Sequence, residues 1–180
     1  LLTRGTKTRS GEQIAEMMEA IGGSIDGFSG NNSLGVSGQV LKQDFDQGLE
    51  MLVDVLTRPT FPQAELDRLK AESLAGLKRQ EDDPFSRALL GMRRILFQDH
   101  PYRFNGIGTK DSLAKMSRQT VLDFYQKTVK PQGAVVAVFG DFDAATAKSK
   151  IEKSLQGFQG KPVKTEVSAA SIPSHPLEET

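Results

Sequence analysis

Residues Leu66–Pro84 read LDRLKAESLAGLKRQEDDP. Leu66, Leu69, Ser73, Leu74 and Leu77 recur at helical spacing, and Pro84 forces a stop just after the acidic cluster Glu81, Asp82 and Asp83. The spacing predicts one amphipathic helix whose first residue is Pro62 or the one after it.

Upstream, Ser10-Gly11-Glu12-Gln13 has the form of a capping box, and Ile14, Met17, Met18 and Ile21 follow on one helical stripe. Gly22-Gly23 supplies a left-handed stop, and the methionine pair reads as core filler. The period then changes to two: Leu34, Val36, Gly38 and Val40 alternate with Gly35, Ser37, Gln39 and Leu41. Ser24–Ser29 is expected to pair with this strand through the turn Gly30-Asn31-Asn32-Ser33. A second helix is expected from a cap at Asp44 to Arg58, burying Phe45, Leu49, Leu52, Val53 and Leu56.

Downstream of Pro84, Phe85, Ala88, Leu89, Met92, Ile95 and Leu96 make another amphipathic run with Arg93 and Arg94 facing out. Asp99-His100-Pro101-Tyr102-Arg103 gathers reactive residue types, but zinc needs three or four convergent ligands and the only other histidine, His175, lies in a polar tail. Gly106-Ile107-Gly108-Thr109 has neither the third glycine nor the preceding strand of a dinucleotide site, so it reads as the approach to a short helix capped by Thr109. Ser117 is expected to cap a helix that buries Val121, Leu122, Phe124, Tyr125 and Val129. Ala134–Phe139 is a continuous apolar run of strand length, read as a central strand covered on both faces. Asp143 is expected to cap a last helix running to about Gln156. Residues from Gly157 onward lose all period and read as linker.

The fold class that follows is α+β: a small, mainly antiparallel sheet covered by about seven helices. At 180 residues, with 37% hydrophobic and 26% charged content, the composition is that of one globular domain with or without a tail. Lys+Arg and Asp+Glu balance at 23 each, which argues against nucleic acid or an anionic membrane as partner. No apolar run reaches the roughly 18 residues of a membrane span. With no cysteine there is no disulfide, thiolate nucleophile or Cys-based zinc site, and cytoplasm and periplasm are both compatible, the periplasm being preferred. The start at Leu1 and the missing signal segment suggest a fragment or processed piece.

With LTRGTKTRSGEQIAEMMEAIGGSIDGFSGNNS upstream and FQDHPYRFNGIGTKDSLAKMSRQTVLDFYQKTVKPQGAVVAVFGDFD downstream, the Leu66–Pro84 stretch resembles the zinc metallopeptidases that include insulinase, pitrilysin and the mitochondrial processing peptidase. The resemblance covers residues 1–158, and implies that 159–180 lead toward a second, similar domain. It also implies a unit that is incomplete at its N-terminus. Catalytic members carry H-x-x-E-H on a helix before the segment matching Leu1–Thr6, giving two His ligands and a Glu general base. They take a third ligand, a glutamate, from the helix that ends in the acidic-acidic-Pro stop. Counting back from that stop, Ala75 or Gly76 fills the slot, and neither side chain coordinates a metal. Glu72 lies about one turn earlier, some 5 Å along the axis, which exceeds the tolerance of a metal bond.

The resemblance therefore implies a non-catalytic domain or subunit of a bipartite zinc metallopeptidase, forming half of the chamber and helping to hold extended peptide. No residue of this chain is expected to be catalytic or metal-binding, and zinc is expected only in a paralogous partner unit. The Arg and Tyr that stabilise the tetrahedral intermediate would fall beyond Thr180. The strand Ser24, Ile25, Asp26, Gly27, Phe28 and Ser29 is implied to flank the substrate cleft, its edge accepting peptide by strand addition; a purely structural hairpin is the competing reading. Two further readings stand: a catalytic zinc endopeptidase domain cut after its H-x-x-E-H helix, and a structural subunit of the kind this family gives to respiratory complexes. If strands upstream of Leu1 are absent, an open edge is expected to pair with another chain as a homo-oligomer, and strictly monomeric light scattering would remove that expectation.

Overall fold

The computed structural model describes residues 1–161. Among them run seven α-helices and one two-stranded sheet in the order α1 (Gly11–Ala20), β1 (Ser24–Ser29), β2 (Leu34–Gln39), α2 (Phe45–Thr57), α3 (Gln63–Asp82), α4 (Pro84–Phe97), α5 (Lys110–Lys115), α6 (Arg118–Thr128) and α7 (Ala144–Ser154). The α+β class and the helix count agree with the sequence. The chain divides into two compact units, residues 1–66 with 118–161 and residues 67–117, so that α3 begins in one and continues in the other. The Gly157-onward linker expectation falls mostly on 162–180, with His175, outside the described residues.

In the first unit, α1 starts as its sequence dictates: Ser10 Oγ accepts from the Gln13 amide at 3.1 Å while Gln13 Oε1 accepts from the Ser10 amide at 2.8 Å. Gly22 ends the helix at φ +61°, a left-handed turn without a Cβ penalty. Ile14, Met18, Met51 and Val55 form the buried core, with Met17, Ile21, Ile25, Val36 and Val40 packed against it. One face of the hairpin thus meets the seam between α1 and α2. The hairpin register runs from Ser24 opposite Gln39 to Ser29 opposite Leu34, and Gly30 N–H closes the turn on Ser33 O at 2.7 Å.

Several expectations about the first unit are corrected. Asp44 does not cap α2 with its side chain, because a short 3-10 turn at Lys42–Asp44 leads straight into the helix. The fully buried positions of α2 are Met51, Asp54 and Val55, rotated from the all-apolar stripe that hydropathy selects; a buried carboxylate is invisible to that criterion. Ala134–Phe139 is not a covered central strand: it has no pairing partner among the described residues, and Val135 and Phe139 are 89% and 91% exposed. A strand needs a neighbour to satisfy its backbone, and among the described residues the sheet has two strands.

The linker between α2 and α3 is tied down on several sides. Arg118 Nε, at the start of α6, donates to the Phe61 carbonyl at 3.0 Å and its guanidinium also reaches the Thr60 carbonyl. Tyr125 O–H donates to Leu56 O at 2.7 Å, and its ring meets buried Phe61 edge-on at 5.4 Å. These contacts hold Phe61 at φ +49°, a conformation unusual for a side-chain-bearing residue. Of the residues expected to be buried on α6, Tyr125 is only half-buried and Phe124 is 57% exposed, and no residue of α6 is fully buried. Asp143 caps α7 as the sequence indicates, accepting from the Thr146 amide at 2.8 Å.

In the second unit, Asp83 caps α4 by accepting from the Ser86 amide at 2.8 Å, and Pro84 takes the first helical position, where its missing N–H costs nothing. The run expected to be buried on α4 is instead exposed at Phe85, Leu89, Met92 and Leu96, while Arg93, expected outside, is half-buried and donates to Tyr102 O at 3.2 Å. Periodicity locates an apolar stripe but not what, if anything, covers it. Thr109 and Ser112 exchange capping bonds at the start of α5, as the Thr109 expectation requires.

Candidate functional site

The slot at Ala75 and Gly76 lies well inside α3, seven residues before the helix ends at Asp82 when counted from Ala75. Ala75 is exposed, and a Cβ built on Gly76 would sit 3.7 Å from Ile107 Cδ1, an ordinary apolar contact. Glu72, the one nearby carboxylate on the preceding turn, is engaged by Arg68 four residues before it. His100 is engaged locally: its Nδ1 accepts from the Tyr102 amide at 3.2 Å and its ring packs against Phe97 and Tyr102. No group of three or more His, Asp or Glu side chains is arranged to hold a metal among the described residues. The donor set of α3 therefore does not fit zinc: a methyl, a hydrogen and an ion-paired carboxylate offer no convergent ligands.

The hairpin strand β1 (Ser24, Ile25, Asp26, Gly27, Phe28 and Ser29) presents an edge that pairs with no third strand among the described residues. Five of its six residues are exposed, and Ile25 alone reaches toward the core. Phe28 lies across Gly35 so closely that a Cβ there would be 2.7 Å from Phe28 Cζ. The glycine thus lets an aromatic ring lie flat on the face of the hairpin while remaining 51% exposed.

A polar cluster that the sequence did not single out lies in the same unit. Asp54, wholly buried, accepts at Oδ2 from Thr6 Oγ1 at 2.7 Å, Thr8 Oγ1 at 3.0 Å and Arg9 Nη1 at 2.9 Å. Its Oδ1 lies 2.8 Å from Arg58 Nε, an ion pair lacking hydrogen-bond alignment. Burial alone would push the carboxyl up, yet the bonds from Thr6, Arg9 and Thr8 with the charge of Arg58 hold it below the ordinary carboxylate range. The Arg9 guanidinium is raised in turn, first by its bond to Asp54 and then by Glu50. A carboxylate with no exposure, three donors on Oδ2 and Arg58 beside Oδ1 does not reach a substrate, so the cluster fastens residues 5–10 to α2. A signal was present: an aspartate between Met51 and Val55 on an apolar face demands partners, and Thr-x-Thr-Arg supplies them.

A groove of about 550 Å³ opens in the first unit between the end of β2, α2, residues 136–143 and α7. Its walls are mostly apolar, including Val40, Phe45, Leu49 and Ile151. The charges on its rim are already matched: Lys42 Nζ meets Asp141 at 2.9 Å, Lys150 Nζ meets Asp46 at 2.6 Å, and Asp143 caps α7.

The model of the insulinase family of peptidases, family M16, matches residues 1–105, more than half of the chain. The chain belongs to the M16 peptidase family. The model of the M16 inactive domain matches residues 115–180. An uncharacterized zinc protease of Mycobacterium leprae is 27% identical over 143 residues, covering 79% of this chain and 32% of the relative. A solved M16 inactive domain from Pseudomonas fluorescens has the same fold, with TM-score 0.85 at 21% identity over 94% of this chain and 42% of that one. The first half of the periplasmic protease PqqL from Escherichia coli superposes with TM-score 0.82 at 21% identity over 97% of this chain and 39% of its own. The M16 chain described here thus spans about a third of the length of the curated relative it matches. No helix among the described residues is long and apolar enough to cross a membrane.

Proposed function

We propose that this chain is part of the non-catalytic half of a bipartite M16 zinc metallopeptidase. The observation that carries the reading is the α3 slot, where Ala75 and Gly76 stand and the nearest carboxylate, Glu72, lies about one turn earlier on the helix. A zinc ion held by two protein ligands at most is bound too weakly to polarise a carbonyl or activate water, so restoring a His pair alone would not create a working centre. The match of residues 115–180 to the inactive-domain model supports the same conclusion.

In this reading the zinc and general base belong to a paralogous unit, in the same polypeptide or a separate one, and this chain closes half of the chamber. Its contribution to substrate is the exposed edge of β1, where unpaired N–H and C=O groups of Ser24–Ser29 add to an extended peptide and Phe28 offers an apolar contact. The likeness to half of a periplasmic protease favours the periplasm. A catalytic reading is favoured by one observation, the zinc-protease name of the mycobacterial relative. The two are separated by preceding the chain with the H-x-x-E-H helix of a catalytic relative and assaying bound zinc and cleavage of an unstructured peptide: the proposal expects neither, and stoichiometric zinc with chelator-sensitive cleavage overturns it.

A further inference from the structure

Of the three asparagines in this chain, Asn105 alone precedes a glycine; Asn31 and Asn32 are followed by Asn32 and Ser33. The pair Asn105-Gly106 opens the segment that the second unit ties to α3. Asn105 Nδ2 donates to Gln80 Oε1 at 2.7 Å, and Lys110 Nζ pairs with Glu81 at 2.9 Å. The Asn105 side chain also turns back on its own loop. Its Oδ1 accepts from the Ile107 amide at 3.1 Å, while its main-chain oxygen accepts from the Gly108 amide at 2.9 Å. A turn of this kind folds the side-chain carbonyl over the intervening residue, Gly106.

We infer that Asn105 is a site of self-catalysed deamidation, with Gly106 as its nucleophile and Gln80 as the restraint on its leaving group. The main-chain nitrogen of Gly106 attacks Asn105 Cγ: the N–Cγ bond forms, the Cγ–Nδ2 bond breaks, and the Gly106 amide hydrogen departs with Nδ2 as ammonia. Water then opens the cyclic imide at one carbonyl or the other, giving aspartate or isoaspartate. Glycine permits the closure because it sets no Cβ beside the attacking nitrogen and leaves the backbone free to reach the ring geometry. The Ile107 N–H sits on the oxygen that takes up negative charge during attack, an oxyanion-type contact. Gln80 opposes the step, since its carbonyl holds the Asn105 amide as a donor and has no proton to give the departing nitrogen. Nucleophile and electrophile belong to adjacent residues, so the reaction needs only water from outside, whatever else covers the loop. The product removes the donor that Gln80 Oε1 accepts from and sets a negative charge opposite the sequence neighbour of Glu81, which loosens residues 105–110 from α3. The inference is independent of the reading of the α3 slot.

The test incubates the folded 180-residue chain in mildly alkaline buffer and follows conversion of each asparagine by peptide mass mapping, with isoaspartate detected by enzymatic methylation. Conversion at Asn105 is expected to outrun that at Asn31 and Asn32 and to yield isoaspartate as well as aspartate. Gly106→Ala, whose Cβ meets nothing within 4 Å among the described residues, is expected to slow it about tenfold. Gln80→Ala, which removes the acceptor, is expected to raise the rate several-fold, whereas Gln80→Glu, which keeps one, does not. Unchanged conversion at Asn31 and Asn32 separates this local release from general unfolding. No conversion at Asn105 in the folded wild-type chain, or a Gln80→Ala rate equal to or below the wild-type one, overturns the inference. If Gln80→Ala raises all three sites together, the wild-type and Gly106→Ala rates decide.

Discussion

Thr6 Oγ1 donates to Asp54 Oδ2 at 2.7 Å across 48 residues of sequence, inside a site where the carboxylate has no exposure at all. This bond, with those from Thr8 and Arg9, converts a costly buried charge into the fastening between the N-terminal segment and α2. Asp54→Ala leaves the partly enclosed Arg9 and Arg58 without their anion and opens a cavity; it is expected to destabilise the chain by about 3 kcal/mol, read by urea unfolding.

The same carboxylate sets an acid limit. Its folded-state pKa is depressed, so its stabilisation is fully present above the unfolded carboxylate value and is lost as pH falls below about 4, through the folded value. Asp54→Asn is expected to unfold more easily at neutral pH but to show a flatter stability profile between pH 4 and about pH 2, measured by denaturant midpoints.

Two glycines are expected to respond in opposite directions to alanine. A Cβ on Gly23 would lie 2.8 Å from the Gln39 carbonyl oxygen, a backbone atom that cannot swing aside, so Gly23→Ala should cost about 1–3 kcal/mol. Gly91, within α4, has nothing within 4 Å of its would-be Cβ, and Gly91→Ala should stabilise by up to about 1 kcal/mol. Thermal midpoints of the two variants check the pair.

Tyr125→Phe removes the 2.7 Å bond to Leu56 O while keeping the edge-on ring contact with Phe61. The loss is expected to be about 1 kcal/mol in equilibrium unfolding, since the carbonyl loses a donor but the packing survives.

The local elements were largely legible in the sequence because their signals are local: the Ser10 box, the Gly30–Ser33 turn and the Asp143 cap each lie within four residues of what they control. What was not legible depends on partners distant in sequence or outside the described residues. Among the described residues, Ala134–Phe139 has a strand's composition and no strand to pair with, and Phe85, Leu89, Met92 and Leu96 have a helix's apolar stripe and little to cover it. Asp54 belongs with these, as its partners Thr6 and Arg9 are far away in sequence. The candidate site was read at Ala75 and Gly76 through the family pattern; the structure adds that Glu72 is already ion-paired.

The central claim, that this M16 unit lacks its own zinc centre, is tested most directly by counting metal. The chain, preceded by the H-x-x-E-H helix of a catalytic relative, is dialysed against zinc and its bound metal measured by mass spectrometry alongside hydrolysis of an unstructured peptide. The account predicts no stoichiometric zinc and no cleavage. One zinc per chain, with cleavage that a chelator abolishes, would contradict it.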